Sequence, residues 1–263
     1  MHMRKKKWAR PELDACPYFI ADPQTVRNHW QEQFPVARPL CAEFGCGKGV
    51  STAQMIRNHP EFNFIAMDIS PDVLGDARRN LEAAFQGEPI RNALLSRCDL
   101  ARANMFFGPE DQLERIILSF SNPWPKRRHE KRRLTHPRKL MQYREFMADH
   151  AEIHFKTDDP ELWLDSQVYF HVCGFRPLFR TDDLHASGYT PNYITEHEAR
   201  FMAEGKPIHF GIYQKTSLPG PINPTLWQMP NRADLPSDLF GPFSDTPITE
   251  GGEIHDAQNF GRA

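Results

Sequence analysis

Short apolar runs and amphipathic stretches alternate through the middle of this chain. Residues 39–44 form an apolar run that ends in glycines, and a helical segment begins near Ser51. Asn63–Asp68 (NFIAMD) is a second run, after which Ser70 offers an N-cap and Pro71 the first helical position. Further strands are predicted at Ala93–Cys98, Arg115–Ser121 (RIILSFS), Glu152–Thr157, 176–181 and Ile208–Gln214. Helices are predicted over 137–149 and from Pro160 to Val172, and Thr195-Glu196-His197-Glu198 has the spacing of a capping box. Seven strands alternating with helices imply an α/β fold on a mostly parallel sheet with helices on both faces. In such sheets the ligand sits outside the carboxyl ends of the strands. That directs attention to Glu43–Gly49, Asp68, Asp99, Asn122–Lys126 and Asp158.

The flanks read differently. Residues 1–37 form an irregular or helical lead-in, and 38–216 hold the alternating pattern. From about Ser217 there are seven prolines, little periodicity and no lysine. Residues 217–263 therefore read as a disordered or loosely packed acidic tail; the other possibility is an ordered extension carried by Leu226, Trp227, Met229, Leu239, Phe240 and Phe243. No apolar run approaches the ~20 residues of a spanning helix, and no apolar stretch follows the basic start. Five scattered cysteines without a C-x-x-C pair fit buried thiols in a reducing compartment, not a disulfide framework or a zinc site. A cytoplasmic home is expected.

The overall charge of −2 hides a segregation. Residues 217–263 carry six acids against Arg232 and Arg262, so the rest of the chain is slightly basic. Within it, Lys126 to Lys139 holds eight Lys or Arg against one Glu. Local density is what a phosphate backbone feels.

Glu43-Phe44-Gly45-Cys46-Gly47-Lys48-Gly49 follows the first strand. Three alternating glycines let the backbone approach a flat, bulky ligand. Val50 stands where a dinucleotide fingerprint needs glycine, and no phosphate-loop G-K-[ST] is present, which disfavours a NAD-binding oxidoreductase. With Asp68 closing the second strand, the pattern suits a zwitterionic nucleoside. Glu43 would face its amino-acid end, and Asp68 would accept from both ribose hydroxyls.

The segment Ser121-Asn122-Pro123-Trp124-Pro125-Lys126-Arg127-Arg128-His129-Glu130-Lys131-Arg132-Arg133-Leu134 is the most informative in the chain. Prolines on both sides of Trp124 stiffen the exit of the fourth strand. The cations behind it can neutralise phosphates, and the indole can pack on a base. A charge run is usually a solvated face; here it follows a strand end where the sheet presents its ligand.

Gly45–Gly49, Asn122–Leu134, Lys156-Thr157-Asp158, Asp183-Leu184-His185 and Thr195–Phe201 together resemble the bacterial tRNA (guanine-N7)-methyltransferase family. The likeness runs in order from Met3-Arg4-Lys5 to about residue 215. It implies a class I methyltransferase (Rossmann-like) fold, S-adenosylmethionine as donor, and a guanine in the tRNA variable loop as target. It places Glu43, Gly45, Gly47, Gly49, Asp68, Asp99 and Asn122 on cofactor positions. Asn122 and Asp158 fall on catalytic positions, and Lys126, Asp158, Thr195 and Glu198 on substrate positions. Arg128, Lys131, Arg132 and Arg133 fall on the RNA-contacting stretch, and no metal is implied.

Three departures stand out. The family usually has Asp where Asn122 stands and Glu where Asp68 stands, and the stretch after 216 has no counterpart in its pattern. Guanine N7 carries a free lone pair, so its methylation needs alignment and surrounding acceptors more than a general base. An amide at 122 can orient but brings no negative charge to balance the purinium, which leaves Asp158 and Glu198 to supply it. Two alternatives follow: a catalytically silent cofactor- and RNA-binding member of the same family, or a methyltransferase for a small molecule or protein. The Lys126–Lys139 cluster speaks against the second.

Overall fold

The computed structural model describes residues 5–244 and a two-residue strand at Ile254–His255. The chain divides into two compact units, one running to Ser119 and including Met141–Ala151, the other made of Phe120–Leu140 and the chain from Glu152 onward.

The first unit opens with α1 (Ala9–Asp14) and β1 (Phe19–Ile20), then β2 (Leu40–Phe44), α2 (Val50–Asn58), β3 (Asn63–Asp68), α3 (Pro71–Phe85), β4 (Ala93–Arg97) and β5 (Leu113–Ser119). Its strands pair in the order β1-β4-β3-β2-β5, every pair parallel. All five residues of β2 and the first five of β3 are buried, as expected of parallel strands, which read as continuous apolar runs. The lead-in belongs to this body. Trp30 is fully buried, its indole N–H donating to the Phe106 carbonyl at 2.9 Å and its ring 5.4 Å from Phe107. α1 lies against α3 so closely that a Cβ on Gly75 would come 2.7 Å from that of Ala9.

Next come α4 (Pro137–Phe146) and β6 (Met147–Thr157). The second unit continues with α5 (Pro160–Val172), β7 (Phe175–Thr181), β8 (Tyr189–Thr190), α6 (Glu196–Ala203), β9 (His209–Lys215), β10 (Phe243–Ser244) and β11 (Ile254–His255). Here the order is β6-β9-β7-β10 and every pair is antiparallel. β8 and β11 form a separate parallel pair. The core gathers Leu178, Phe179, Leu184, Tyr189, Ile208, Phe210 and Ile212, with Phe120 and Phe201 packed against it.

Nine strands thus enter the main β-structure where seven were expected. The additions, β1 and β10, are two residues long, too short to show an alternation. The fourth expected strand ends at Ser119 instead of Ser121, because Phe120 turns to φ +51°. The helix expected to reach 149 stops at Phe146, and β6 begins at once.

The stretch expected to be loose is held by specific contacts over 217–244. The Arg180 guanidinium donates to the carbonyls of Leu239 and of Asp238, the latter at 3.0 Å, β10 pairs with β7, and Trp227 packs edge-on against Tyr169 at 5.3 Å. An aromatic and an arginine with buried partners outweigh a proline-rich composition. Asp245, Glu250, Glu253 and Asp256 lie outside the described residues.

Candidate functional site

The turn after β2 is built from backbone. Gly45 and Gly47 take φ +89° and +55°, a region that costs a residue with a Cβ about 1–2 kcal/mol. The N–H groups of Gly45 and Cys46 both donate to the Met67 carbonyl, at 2.8 and 2.9 Å. A Cβ on Gly45 or Gly47 would meet nothing within 4 Å, whereas one on Gly49 would lie 2.8 Å from the Cβ of Ala77. The first two glycines therefore leave open space over the turn. Gly49 departs from the expectation: its missing side chain is room for α3, not for a ligand.

Two acids border this turn. Glu43 is 4% exposed, and the Thr52 hydroxyl donates to its Oε2 at 2.5 Å. Asp68 ends β3 and takes the Gly47 N–H on Oδ2 at 3.1 Å and the Ser70 N–H on Oδ1 at 2.9 Å. The Ile69 N–H also bears on this carboxylate, so it is oriented before any ligand arrives and keeps only part of its acceptor capacity. Burial raises its pKa, and the backbone N–H groups pull it partly back. Asp99 is exposed and caps the turn that follows β4, accepting the Ala101 N–H at 3.0 Å. Cys46 and Cys98 are buried thiols, and burial pushes Cys98 up to about 12 and Cys46 well above its ordinary value. They are neutral walls, not nucleophiles. Sequence patterns did not single out Thr52 or Ile69, which is 59% exposed beside Asp68. Thr52 had a signal, a hydroxyl in the first turn of the helix after the glycines.

The turn after β5 is built from side chains. Phe120 and Trp124, both bulky, sit at φ +51° and +45°, a conformation that persists only where the surroundings impose it. At Phe120 the backbone N–H donates to the Lys156 carbonyl at 3.0 Å, and the ring packs against His197 and Phe201 of α6 at 6.1 and 6.0 Å. At Trp124 the N–H donates to Asn122 Oδ1 at 3.0 Å, an Asx turn. A carboxylate oxygen at 122 would accept that same bond. Asn122 itself is exposed.

Behind it, Arg127–Arg132 form a 3₁₀ turn that buries no side chain. Lys126, Arg128, Lys131 and Arg132 are exposed, with the Arg132 guanidinium 4.9 Å over the Trp124 ring. Arg133, read from the sequence as an RNA contact, is turned inward. It is 5% exposed; Nη1 donates to Asp165 at 2.5 Å and to the Tyr169 hydroxyl at 3.1 Å, and Nε to the Pro123 carbonyl at 2.8 Å. A guanidinium committed to a carboxylate, a phenol and a carbonyl is a structural anchor.

Asp158 follows β6, half-buried, and makes no side-chain hydrogen bond among the described residues. Its neighbours are engaged: Thr157 Oγ1 accepts the Asp159 N–H, and Asp159 caps α5 through the Leu162 N–H at 2.7 Å. The capping box at α6 forms as expected, with Thr195 Oγ1 accepting the Glu198 N–H at 3.0 Å. Glu198, however, is wholly buried. It accepts from Lys156 Nζ at 3.1 Å and Asn192 Nδ2 at 2.6 Å, and faces His185 Nε2 at 3.3 Å. Its charge is shared with these partners, so it ties the 185–198 loop to Lys156 while Thr195 assists as the cap.

Residues 37–210 match a family model described as "Putative methyltransferase". A tRNA (guanine-N(7)-)-methyltransferase of Clostridium perfringens (strain SM101 / Type A) is 46% identical over 218 residues, 82% of this chain and 100% of that protein. One bearing the same name from Acetivibrio thermocellus is 42% identical over 217 residues, again 82% of this chain and 100% of the other. The solved structure of the 16S rRNA methyltransferase KamB, at 13% identity and a TM-score of 0.51 over 71% of this chain and 91% of that one, shares the fold.

Proposed function

This chain belongs to the tRNA (guanine-N7)-methyltransferase family, and from that premise we propose how its residues share the transfer of a methyl group from S-adenosylmethionine to N7 of a guanine in the tRNA variable loop. The donor, when bound, supplies an electrophilic methyl on a sulfonium. The residues of the β2 turn fit such a molecule: open space where Gly45 and Gly47 lack a Cβ, and an oriented acid on either side. Asp68 turns its remaining acceptor capacity to the ribose hydroxyls. Glu43, steadied by Thr52, faces the amino-acid end, and Asp99 offers its second oxygen at the end of β4.

At the other turn Lys126, Arg128, Lys131 and Arg132 neutralise tRNA phosphates, and Trp124 offers its ring to a base. Guanine N7 needs no proton removed before attack, so these residues act by alignment and by excluding water. Asn122 orients the reacting groups through its amide oxygen, and Asp158, its oxygens unclaimed by any described hydrogen bond, supplies negative charge as the purine becomes cationic. The work is done in the cytoplasm, where the tRNA is. The observation that carries this reading is the presence, in one chain, of a bare-backbone turn set on Asp68 and an Asn-Pro-Trp-Pro turn followed by exposed cations. Incubation with labelled S-adenosylmethionine and tRNA lacking the modification tests it. Label recovered as 7-methylguanosine in the variable loop is expected; label elsewhere, or none, would mean another target or the silent alternative.

A further inference from the structure

The stretch beyond the family match is wired to the Asn122–Arg133 turn. Arg232 Nη2 donates to Asp165 Oδ1, and to Glu161 Oε2 at 3.0 Å. The other oxygen of Asp165 takes Arg133 Nη1 at 2.5 Å, and Arg133 Nε holds the Pro123 carbonyl at 2.8 Å. A chain of hydrogen bonds thus leads from Arg232 to the residue next to Asn122. A second tether lies close by. Trp227 sits edge-on to His136 at 5.9 Å and to Tyr169 at 5.3 Å, and Arg138 Nη2 donates to the Thr225 carbonyl at 2.8 Å. The Tyr169 hydroxyl also meets Arg133.

This matters because the cationic turn has no buried anchor of its own; His129 and Arg132 touch only the half-buried Trp124 at its entry. Residues 127–132 bury nothing, so their position is set at their two ends, Pro123 and Arg133–His136. Arg133 touches both ends, and Asp165 orients Arg133. A carboxylate gripped by one guanidinium keeps rotational freedom; gripped on both oxygens, it loses it. We propose that Arg232 and Trp227 are positioning residues for tRNA, holding the turn from behind so that Lys126, Arg128, Lys131 and Arg132 meet phosphates already arranged. The inference rests on reading that turn as the tRNA-facing one.

Steady-state methylation of tRNA by wild type, Arg232→Ala, Arg232→Lys, Trp227→Ala and the double variant Lys131→Ser/Arg132→Ser tests it. Arg232→Ala is expected to raise the KM for tRNA about three- to tenfold, the size expected of one partly exposed charged hydrogen bond. Its kcat, its affinity for S-adenosylmethionine and its thermal midpoint should stay near wild type, and Arg232→Lys should recover most of the KM. A change confined to stability would not divide KM from kcat in this way. Trp227→Ala should act in the same direction; should it fail to fold, Arg232, 34% exposed at its side chain, decides alone. An unchanged KM in Arg232→Ala beside a raised KM in the double variant would overturn the inference and leave the function standing. An unchanged KM in both would remove the tRNA-facing assignment, and the inference with it.

Discussion

The turn after β2 and the turn after β5 both follow buried parallel strands, yet they are fixed by different means. The first is held from within, by the Met67 carbonyl and the Asp68 carboxylate acting on its own N–H groups. The second holds itself through the Asn122 bond and the packing of His129 and Arg132 on Trp124, and is pinned at its ends by Arg133, Asp165 and Tyr169. The difference follows from what each must meet. A nucleoside-sized donor can be cradled by backbone that is bare because glycine is there. A polyanion needs cations that stay in water, and cations in water cannot fold their own loop, so the order has to be supplied from behind.

The largest effect that would break this comparison is at Asn122. Asn122→Ala removes both the Asx bond to Trp124 and the orienting amide, and should slow single-turnover methylation of tRNA by about 10- to 1000-fold. Asn122→Asp keeps an acceptor for the Trp124 N–H and adds charge, and should be as fast as wild type or faster. Wild-type speed in Asn122→Ala would detach this turn from the chemistry.

The glycines sharpen the other side. Gly49 is itself at φ +67°, so a side chain there carries the same backbone cost as at Gly47 and in addition drives a Cβ into Ala77. Gly49→Ala should therefore cost about 1–3 kcal/mol more than Gly47→Ala, visible as a lower thermal midpoint. Gly47→Ala meets no neighbour and carries only the backbone cost of about 1–2 kcal/mol, so the two melts should separate. An equal drop would mean that packing against α3 does not distinguish them.

For the cationic turn, every phosphate left without its cation should flatten the slope of log K against log salt by about 0.7–0.9. Arg128→Ser should show this in tRNA titrations across salt. Arg133→Ser should instead lower stability, since its guanidinium faces Asp165 and not solvent.

The smallest effect concerns pH. Burial, with Arg138, Lys131, Arg133 and Lys139 nearby, holds the His136 imidazole down to about 4. In the unfolded chain it titrates near ~6.5, so between those values the unfolded state binds the extra proton. His136 therefore contributes stability above that window and loses it as pH falls through it. Thermal midpoints from pH 7 to 4.5 should fall more steeply in wild type than in His136→Gln; parallel curves would contradict the buried neutral imidazole.

Much of this architecture is legible in the sequence. β3, α5 and the α6 capping box lie where their patterns put them, because Phe64–Met67 is continuously apolar and Asp159-Pro160 and Thr195–Glu198 are local signals. Local signals cannot show which polar groups are consumed by distant ones. Arg133 looks like Arg132 in the sequence, and only Asp165 and Tyr169, more than thirty residues on, make it an anchor. Glu198 reads as free charge because Lys156, Asn192 and His185 are not its sequence neighbours. Trp227 stands among the apolar residues of the alternative, ordered reading of the tail, whereas Arg232 is hidden by the prolines around it. Gly49 looks like its two companions, since the closeness of Ala77 is a property of helix packing and not of spacing.

The most direct test of the division between the two turns is a crossed titration. S-adenosylmethionine and tRNA are each titrated calorimetrically into Asp68→Ala and into Lys131→Ser/Arg132→Ser. Asp68→Ala should lose about 1.5–3 kcal/mol of donor binding and keep its affinity for tRNA, while the double variant should lose tRNA affinity at moderate salt and keep the donor. In wild type the donor affinity should also weaken on acidification from above the ordinary aspartate range, because burial raises the Asp68 pKa and protonation spoils the acceptor. Asp68→Ala binding S-adenosylmethionine as wild type does, or either variant losing both ligands equally, would contradict the account.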